Sequence, residues 1–270
     1  MFRAIVLGAT QGLTEFVPVS SSAHLILVPF LLQWPIPSLA FDVAIHLGTL
    51  VALFAYFGAD LVRMVAGAAR AAVGRGDQVD RHQARLVLLL AAGTVPVAAA
   101  GFFLEGFVEE LFERPTVAAA LLLATAALIA AGEAVNRGRE PERRRGMREV
   151  GWWDAVAMGV FQAMAIAPGI SRSGATIAAG LFRGLARDAA ARFSFLLSIP
   201  AILGAAVVAI PDVPARTDWG ATIAASAVAA VSGFAAIAFL LRYLRTRTML
   251  PFAAYCAVLA TLSLTVVAAR

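Results

Sequence analysis

The chain contains no lysine: all 22 of its basic residues are arginine. That excludes a P-loop lysine and a Schiff-base lysine together. A single cysteine, Cys256, excludes an intramolecular disulfide and a multi-cysteine metal centre. It lies in an apolar run and reads as an inert core thiol. Histidine is scarce, at three residues, and charged residues make up only 14% of the 270. No cleavable leader is expected, because Met1 to Thr10 carries one arginine and passes straight into polar residues without a small-residue cleavage site.

What the chain has instead is apolar surface. Hydrophobic residues make up 61% and the mean hydropathy is +0.83. A soluble protein of this length has too little interior to hide that much, so the solvent is lipid. Apolar runs at 41–57, 86–104, 116–135, 193–210, 220–241 and 251–269 each reach the length needed to cross a hydrocarbon core of about 30 Å. The isoelectric point near 10.5 would suit nucleic acid, but the arginines cluster between apolar runs, which points to membrane orientation.

Arginine-rich connections mark the cytoplasm: 58–85 (Arg63, Arg70, Arg75, Arg81, Arg85), 136–150 (Arg137, Arg139, Arg143, Arg144, Arg145, Arg148), Arg183 to Arg192, and Arg242 to Arg247. The connections at 105–115 (Glu105, Glu109, Glu110, Glu113) and 211–219 would face outside. Threading six spans through these loops leaves 1–33 beginning and ending outside and 151–183 beginning and ending inside, so both read as re-entrant hairpins. The expected fold is therefore an all-α polytopic membrane protein of two inverted-topology repeats, each a re-entrant helical hairpin plus three transmembrane helices. It forms one integral domain, 1–270, with halves of about 1–135 and 151–270 joined by the basic loop 136–150. A shift of 151 supports the repeat, placing Gly8 on Gly159, Gln11 on Gln162, Ser20 on Ser171 and Ser22 on Ser173. A shift of 152 lays Ala40 to Gly48 over Arg192 to Pro200. Breaks at Pro18 and Pro168-Gly169 cannot continue a helix smoothly. Irregular backbone at membrane depth must be buried or line a cavity, so the two tips should meet.

The hairpins hold the chemistry. Gln11 and Glu15 share a helix face, and a carboxylate in lipid must pair, protonate or bind a cation unless it reaches the interface. Ser20, Ser21 and Ser22 follow the Pro18 break and precede His24: a candidate nucleophile and base, or simply helix caps and a core histidine. Pro168-Gly-Ile-Ser-Arg-Ser-Gly-Ala-Thr176 combines close backbone approach at Gly169 with hydroxyls on Ser171, Ser173 and Thr176. Arg172 adds a planar fork suited to phosphate oxygens, its bland alternative being a headgroup anchor. Asp42 and His46, one helical turn apart, are either supporting partners of the site or an interfacial pair, and Gln162 is the counterpart of Gln11. Glu133 and Asp154 lie beside basic stretches and read as solvated helix ends.

These residues resemble the bacterial undecaprenyl pyrophosphate phosphatase family, the bacitracin-resistance type of lipid pyrophosphatase. The resemblance is carried by Gln11-Gly-Leu-Thr-Glu15, by Pro18-Val-Ser-Ser-Ser-Ala-His24 and by Pro168 to Thr176, and it covers nearly the whole chain. It implies an inner-membrane enzyme that removes the terminal phosphate of undecaprenyl diphosphate from the outer face and recycles the lipid carrier of peptidoglycan synthesis. It also implies a divalent cation, Mg²⁺ or Ca²⁺, and leaves a homodimer open. Carried over, Ser21 is the nucleophile and Arg172 the phosphate clamp. His24 is an acid/base or orienting group, and Glu15 a metal ligand or base, with Ser20, Ser22, Gly169, Ser171, Ser173 and Thr176 around the phosphate. Many members carry Glu where this chain has Gln11, which offers a carbonyl ligand but no charge. The rival from another class is an alternating-access carrier of an anionic lipid or phosphate-bearing solute, which inverted repeats suit equally. The acid-phosphatase-like lipid phosphatases need a further histidine after the Ser-Arg segment, and the last histidine here is His82.

Overall fold

The computed structural model describes residues 1–35, 38–112, 114–209 and 218–269, and nearly all of these are helical. The helices are α1 (Phe2–Phe16), α2 (Ser21–Leu32), α3 (Leu39–Ala72), α4 (Gln78–Phe112), α5 (Pro115–Arg137), α6 (Trp152–Met164), α7 (Arg172–Phe182), α8 (Arg187–Ala209), α9 (Trp219–Tyr243) and α10 (Leu250–Ala269). Two short helices followed by three long ones occur twice. Among the described residues, α3, α4, α5, α8, α9 and α10 are long and apolar enough to cross a membrane. The hairpin helices α1, α2, α6 and α7 have 15, 12, 13 and 11 residues. At about 1.5 Å per residue none of them covers a hydrocarbon core of about 30 Å.

The outward surface of the bundle is apolar: Phe102 and Phe103 are 80% and 79% exposed, and Val207, Val231 and Val258 point outward as well. Such a surface is stable against lipid and not against water. The interior is closed by aromatic and aliphatic side chains from both halves. Phe16 of α1 meets Phe195 of α8 edge to face, with ring centroids 5.4 Å apart.

Helices α3 and α4 run beyond their apolar runs, so the connection expected over 58–85 shrinks to a short turn around 73–77. Ion pairs support the polar extensions. Asp60 pairs with Arg63 and with Arg192 of α8, and Arg70 holds Asp80 at 2.6 Å. The acidic connection expected at 105–115 is helical to Phe112. Glu113 and residues 211–217 lie outside the described residues.

Glu133 and Asp154, read as solvated ends, are buried, at 0% and 1% exposure. Arginines from the basic stretches fold back onto them. Arg145 and Arg183 hold Asp154 at 2.6 and 2.9 Å, and Arg187 holds Glu133 at 2.6 Å. Burial of a carboxylate requires such pairing.

Close helix approach recurs at corresponding positions of the two halves. α1 packs on α9 at Gly8, where an added Cβ would lie 2.3 Å from the Ala225 carbonyl oxygen. α6 packs on α4 at Gly159, where it would lie 2.1 Å from the Gly93 oxygen. Small residues at these crossings supply the van der Waals contact that holds helices together in lipid. Gly159→Ala is expected to force α6 off α4 at a cost of about 1–3 kcal/mol. The check is a lowered melting temperature in detergent beside Gly58→Ala, whose Cβ meets open space and should leave melting unchanged.

Candidate active site

Each hairpin turns at a backbone break and restarts on a serine cap. α1 ends at Phe16, and after Pro18 the Ser20 hydroxyl caps α2 by accepting the Ala23 N–H at 3.3 Å. α6 ends at Met164, and after Pro168-Gly169 the Ser171 hydroxyl caps α7 by accepting the Gly174 N–H at 3.0 Å. In both, the cap hydroxyl touches the serine two positions on: Ser20 with Ser22 at 3.2 Å, Ser171 with Ser173 at 3.3 Å. Gly169 has φ +104°, and a Cβ there would lie 2.3 Å from the Ala118 carbonyl oxygen, so only glycine fits. The tips meet as the sequence predicted. The Gly169 N–H donates to Ser22 Oγ at 3.2 Å, and Ser173 Oγ donates to the Val17 carbonyl at 3.4 Å.

The first residue of α2 is Ser21 and the first residue of α7 is Arg172, so the same position in each hairpin carries a reactive side chain. Glu15 joins them. Its Oε2 accepts the Ser21 hydroxyl at 2.5 Å and the Gln11 amide at 2.9 Å, and its Oε1 accepts Arg172 Nη2 at 2.5 Å. His46 Nε2 stands 3.8 Å from Oε2. A group that accepts three donors, one of them a guanidinium, is an ionised carboxylate. Arg172 Nη1 also reaches the Ser198 carbonyl at 3.3 Å, leaving the rest of its five N–H groups for another anion. Ser21, Ser22, Arg172 and His46 are only partly buried, while Glu15 and Gln11 lie beneath them. Two helix N-termini close by favour negative charge at this spot. The arrangement can take a proton from a serine hydroxyl beside a clamp for an anionic group.

Not every expected residue joins this group. His24, read as a candidate base beside the serines, turns the other way: Nδ1 meets the Ser20 carbonyl and Nε2 meets Tyr255 Oη, both at 2.8 Å. The α2 helix carries its ring toward α10, and the imidazole beside Glu15 belongs to His46. Thr176 is fully buried, its hydroxyl bonded to the Arg172 carbonyl at 2.7 Å and to Ser194 Oγ at 2.5 Å. It props the start of α7 and makes no contact with Glu15 or Ser21. The Asp42 carbonyl orients His46 by accepting Nδ1 at 2.7 Å, while Asp42 Oδ1 has no partner among the described residues. Gln162 is buried apart from the Gln11–Glu15 group, with both amide atoms unpartnered among the described residues.

Three contributors carried no sequence signal. Thr125 of α5 accepts the Ser171 N–H and donates to the Gly169 carbonyl, each at 2.8 Å, and so shapes the second tip. Ser198 and Tyr255 are a lone serine and a lone aromatic in apolar helices. Among the described residues no group of three His, Cys, Asp or Glu side chains is placed to hold a metal. Gln11 Oε1, however, is buried beside Glu15 without a partner among the described residues. One amide oxygen and one carboxylate fit a hard divalent cation that takes its other ligands from phosphate and water.

Fold and site together define a helical multi-pass membrane protein whose serine, carboxylate and arginine meet where two broken hairpins touch. Residues 4–262 match the family model described as Bacitracin resistance protein BacA, and the chain belongs to that family. It is 43% identical to the undecaprenyl-diphosphatase of Moorella thermoacetica over 97% of this chain and 96% of that one. It is 39% identical to the undecaprenyl-diphosphatase of Chlorobaculum tepidum over 94% and 93% of the two chains, and 42% identical to that of Geobacter sulfurreducens over 94% of each.

Proposed function

We propose that this protein hydrolyses undecaprenyl diphosphate to undecaprenyl phosphate and inorganic phosphate, returning the lipid carrier to cell-wall synthesis and conferring bacitracin resistance. One observation carries the reading: Glu15 bridges Ser21 and Arg172 across the two hairpin tips. Ser21 Oγ attacks the terminal phosphorus, its proton passes to Glu15 Oε2, and the bond to the bridging oxygen breaks. Undecaprenyl phosphate leaves as a stable anion and needs no proton. Glu15 gives its proton to solvent, then accepts one from the water that attacks the phosphoserine, and returns it to the departing Ser21 oxygen.

Arg172 governs when this begins. In the structure described, its guanidinium neutralises Glu15 and so weakens it as a base. An incoming phosphate competes for the guanidinium, which clamps the anion and frees Glu15 to accept the serine proton. Positioning and charge stabilisation are most of the task in phosphoryl transfer. The Gly169 turn and the first amides of α2 and α7 cradle phosphate oxygens, while Ser20, Ser171 and Ser173 hold those turns in shape. A divalent cation, Mg²⁺ or Ca²⁺, would sit on Gln11 Oε1 and Glu15 and supply further neutralisation of the diphosphate.

The arginine-rich ends support an orientation in the plasma membrane in which the halves are inverted and the Ser21 tip is entered from the outer face. The isoprenoid tail stays in lipid. The test is phosphate released from undecaprenyl diphosphate by purified protein, with Mg²⁺ and with EDTA. Cation-dependent release that falls about 10³-fold or more in Ser21→Ala supports the reading. No release by folded wild type, together with movement of intact substrate across vesicles, would replace it with a carrier.

A further inference from the structure

We infer that Tyr255, on α10, is a positioning residue for this hydrolysis: its phenolic O–H anchors the ring of His24, and His24 holds the Ser20 backbone that aims Ser21 at Glu15. The inference rests on the function proposed above and adds a residue outside its motifs. The tautomer follows from elementary donor and acceptor rules. A carbonyl oxygen only accepts, so the 2.8 Å contact of His24 Nδ1 with the Ser20 carbonyl puts the proton on Nδ1. The neutral ring then has its lone pair on Nε2, and Tyr255 Oη, 2.8 Å away, donates to it. The two rings lie parallel, 5° apart in plane with centroids 5.7 Å apart, and His24 is 4% exposed. Both nitrogens are thus committed, and neither bonds Ser21, Glu15 or Arg172.

The Ser20 backbone needs holding. Its φ of +67° and ψ of +97° is a conformation that non-glycine residues rarely adopt and keep only where the surroundings over-determine it. The Ser20 carbonyl accepts both the backbone N–H of His24, at 3.2 Å, and its ring N–H. The next residue is Ser21, whose hydroxyl lies on Glu15. A change at the Ser20 peptide therefore swings the nucleophile directly. α10 braces the same break a second time, because Cys256, the neighbour of Tyr255, donates its S–H to the Pro18 carbonyl at 3.7 Å. Consecutive residues of one helix thus hold both ends of the Pro18–Ser20 turn. Without the phenol, the buried Nε2 lone pair loses its donor, the ring loses its anchor on α10, and the clamp on Ser20 loosens.

Tyr255→Phe keeps the ring stacked on His24 and removes only the O–H. The expected result is a fall in kcat of about five- to tenfold with KM within about twofold of wild type. In detergent-solubilised protein labelled with ¹⁵N-histidine, the His24 Nδ1–H signal, assigned with His24→Asn, should shift and broaden as its bond to the Ser20 carbonyl weakens. That signal is read without turnover, so it stands apart from the assay of function. An unchanged Nδ1–H signal, or unchanged kcat, in Tyr255→Phe overturns the inference. Wild type that releases no phosphate removes the proposed function first, and this role with it.

Discussion

Arg172→Ala is expected to lower phosphate release about 10³-fold or more, as loss of a phosphate-clamping arginine does in other phosphoryl transfers. The loss has two parts. The developing charge on the transferred phosphoryl group loses its bidentate clamp, which a lysine only partly replaces because it is a point charge. Glu15, buried at 6% exposure, loses the cation that faces it at 2.5 Å. A buried carboxylate stripped of its partner costs about 3–5 kcal/mol, or takes up a proton to escape that cost. A protonated Glu15 donates where it should accept and no longer serves as a base for Ser21. Arg172→Lys keeps the charge and should fall between wild type and alanine. The measurement is phosphate release alongside the melting temperature in detergent. Wild-type turnover in folded Arg172→Ala would remove the central assignment.

Glu133→Ala is expected to have the largest effect on stability, about 3–5 kcal/mol. Glu133 of α5 is fully buried and binds two partners from elsewhere in the bundle. Arg187 Nε and Nη2 of α8 donate to it at 2.9 and 2.6 Å, and the Met249 N–H at the start of α10 donates at 2.8 Å. Its removal strands the Arg187 guanidinium, whose side chain is 14% exposed, and leaves the α10 N-terminus without its acceptor. Glu133→Gln keeps an oxygen for the Met249 N–H and should cost less. Heating in detergent, followed by the monodisperse fraction that survives, gives the order wild type, Gln, Ala. Because Glu133 makes no contact with Glu15 or Ser21, phosphate release per folded molecule should stay at the wild-type level. A melting temperature unchanged in Glu133→Ala would show that the pair adds nothing to the bundle.

The hairpins were legible because their signals are local. Pro18 and Pro168-Gly169 interrupt apolar sequence, and Ser20 and Ser171 stand where a restarting helix needs a cap. The cap hydrogen bonds recur in both hairpins at positions 151 apart, although Ser20 has a positive φ and Ser171 an extended backbone. Glu133 and Asp154 were misread for a related reason. A carboxylate beside an arginine-rich stretch looks solvated when the stretch is taken as a loop, and only folding shows Arg145, Arg183 and Arg187 turned inward upon them. Gln162 shows the limit of the repeat. It matches Gln11 in sequence, but position 166, where a counterpart of Glu15 would stand, is isoleucine, and its amide has no partner among the described residues.

Composition and periodicity by themselves determined that six helices are long and apolar enough to cross a membrane, that two hairpins of shorter helices are not, and that those hairpins carry most of the polar residues of the candidate site. Hydropathy, backbone breaks and caps are properties of contiguous residues, so a linear string contains them. Which polar groups pair was decided only by tertiary structure: Arg172 finds Glu15 across 157 positions, and Tyr255 finds His24 across 231. Both imidazoles lie within reach of the first tip in sequence, yet His46 faces Glu15 while His24 turns to Tyr255. The rotation of each helix about its own axis settles that choice. That rotation is set by glycine-lined crossings and buried aromatic contacts summed over the whole bundle, which no single segment carries.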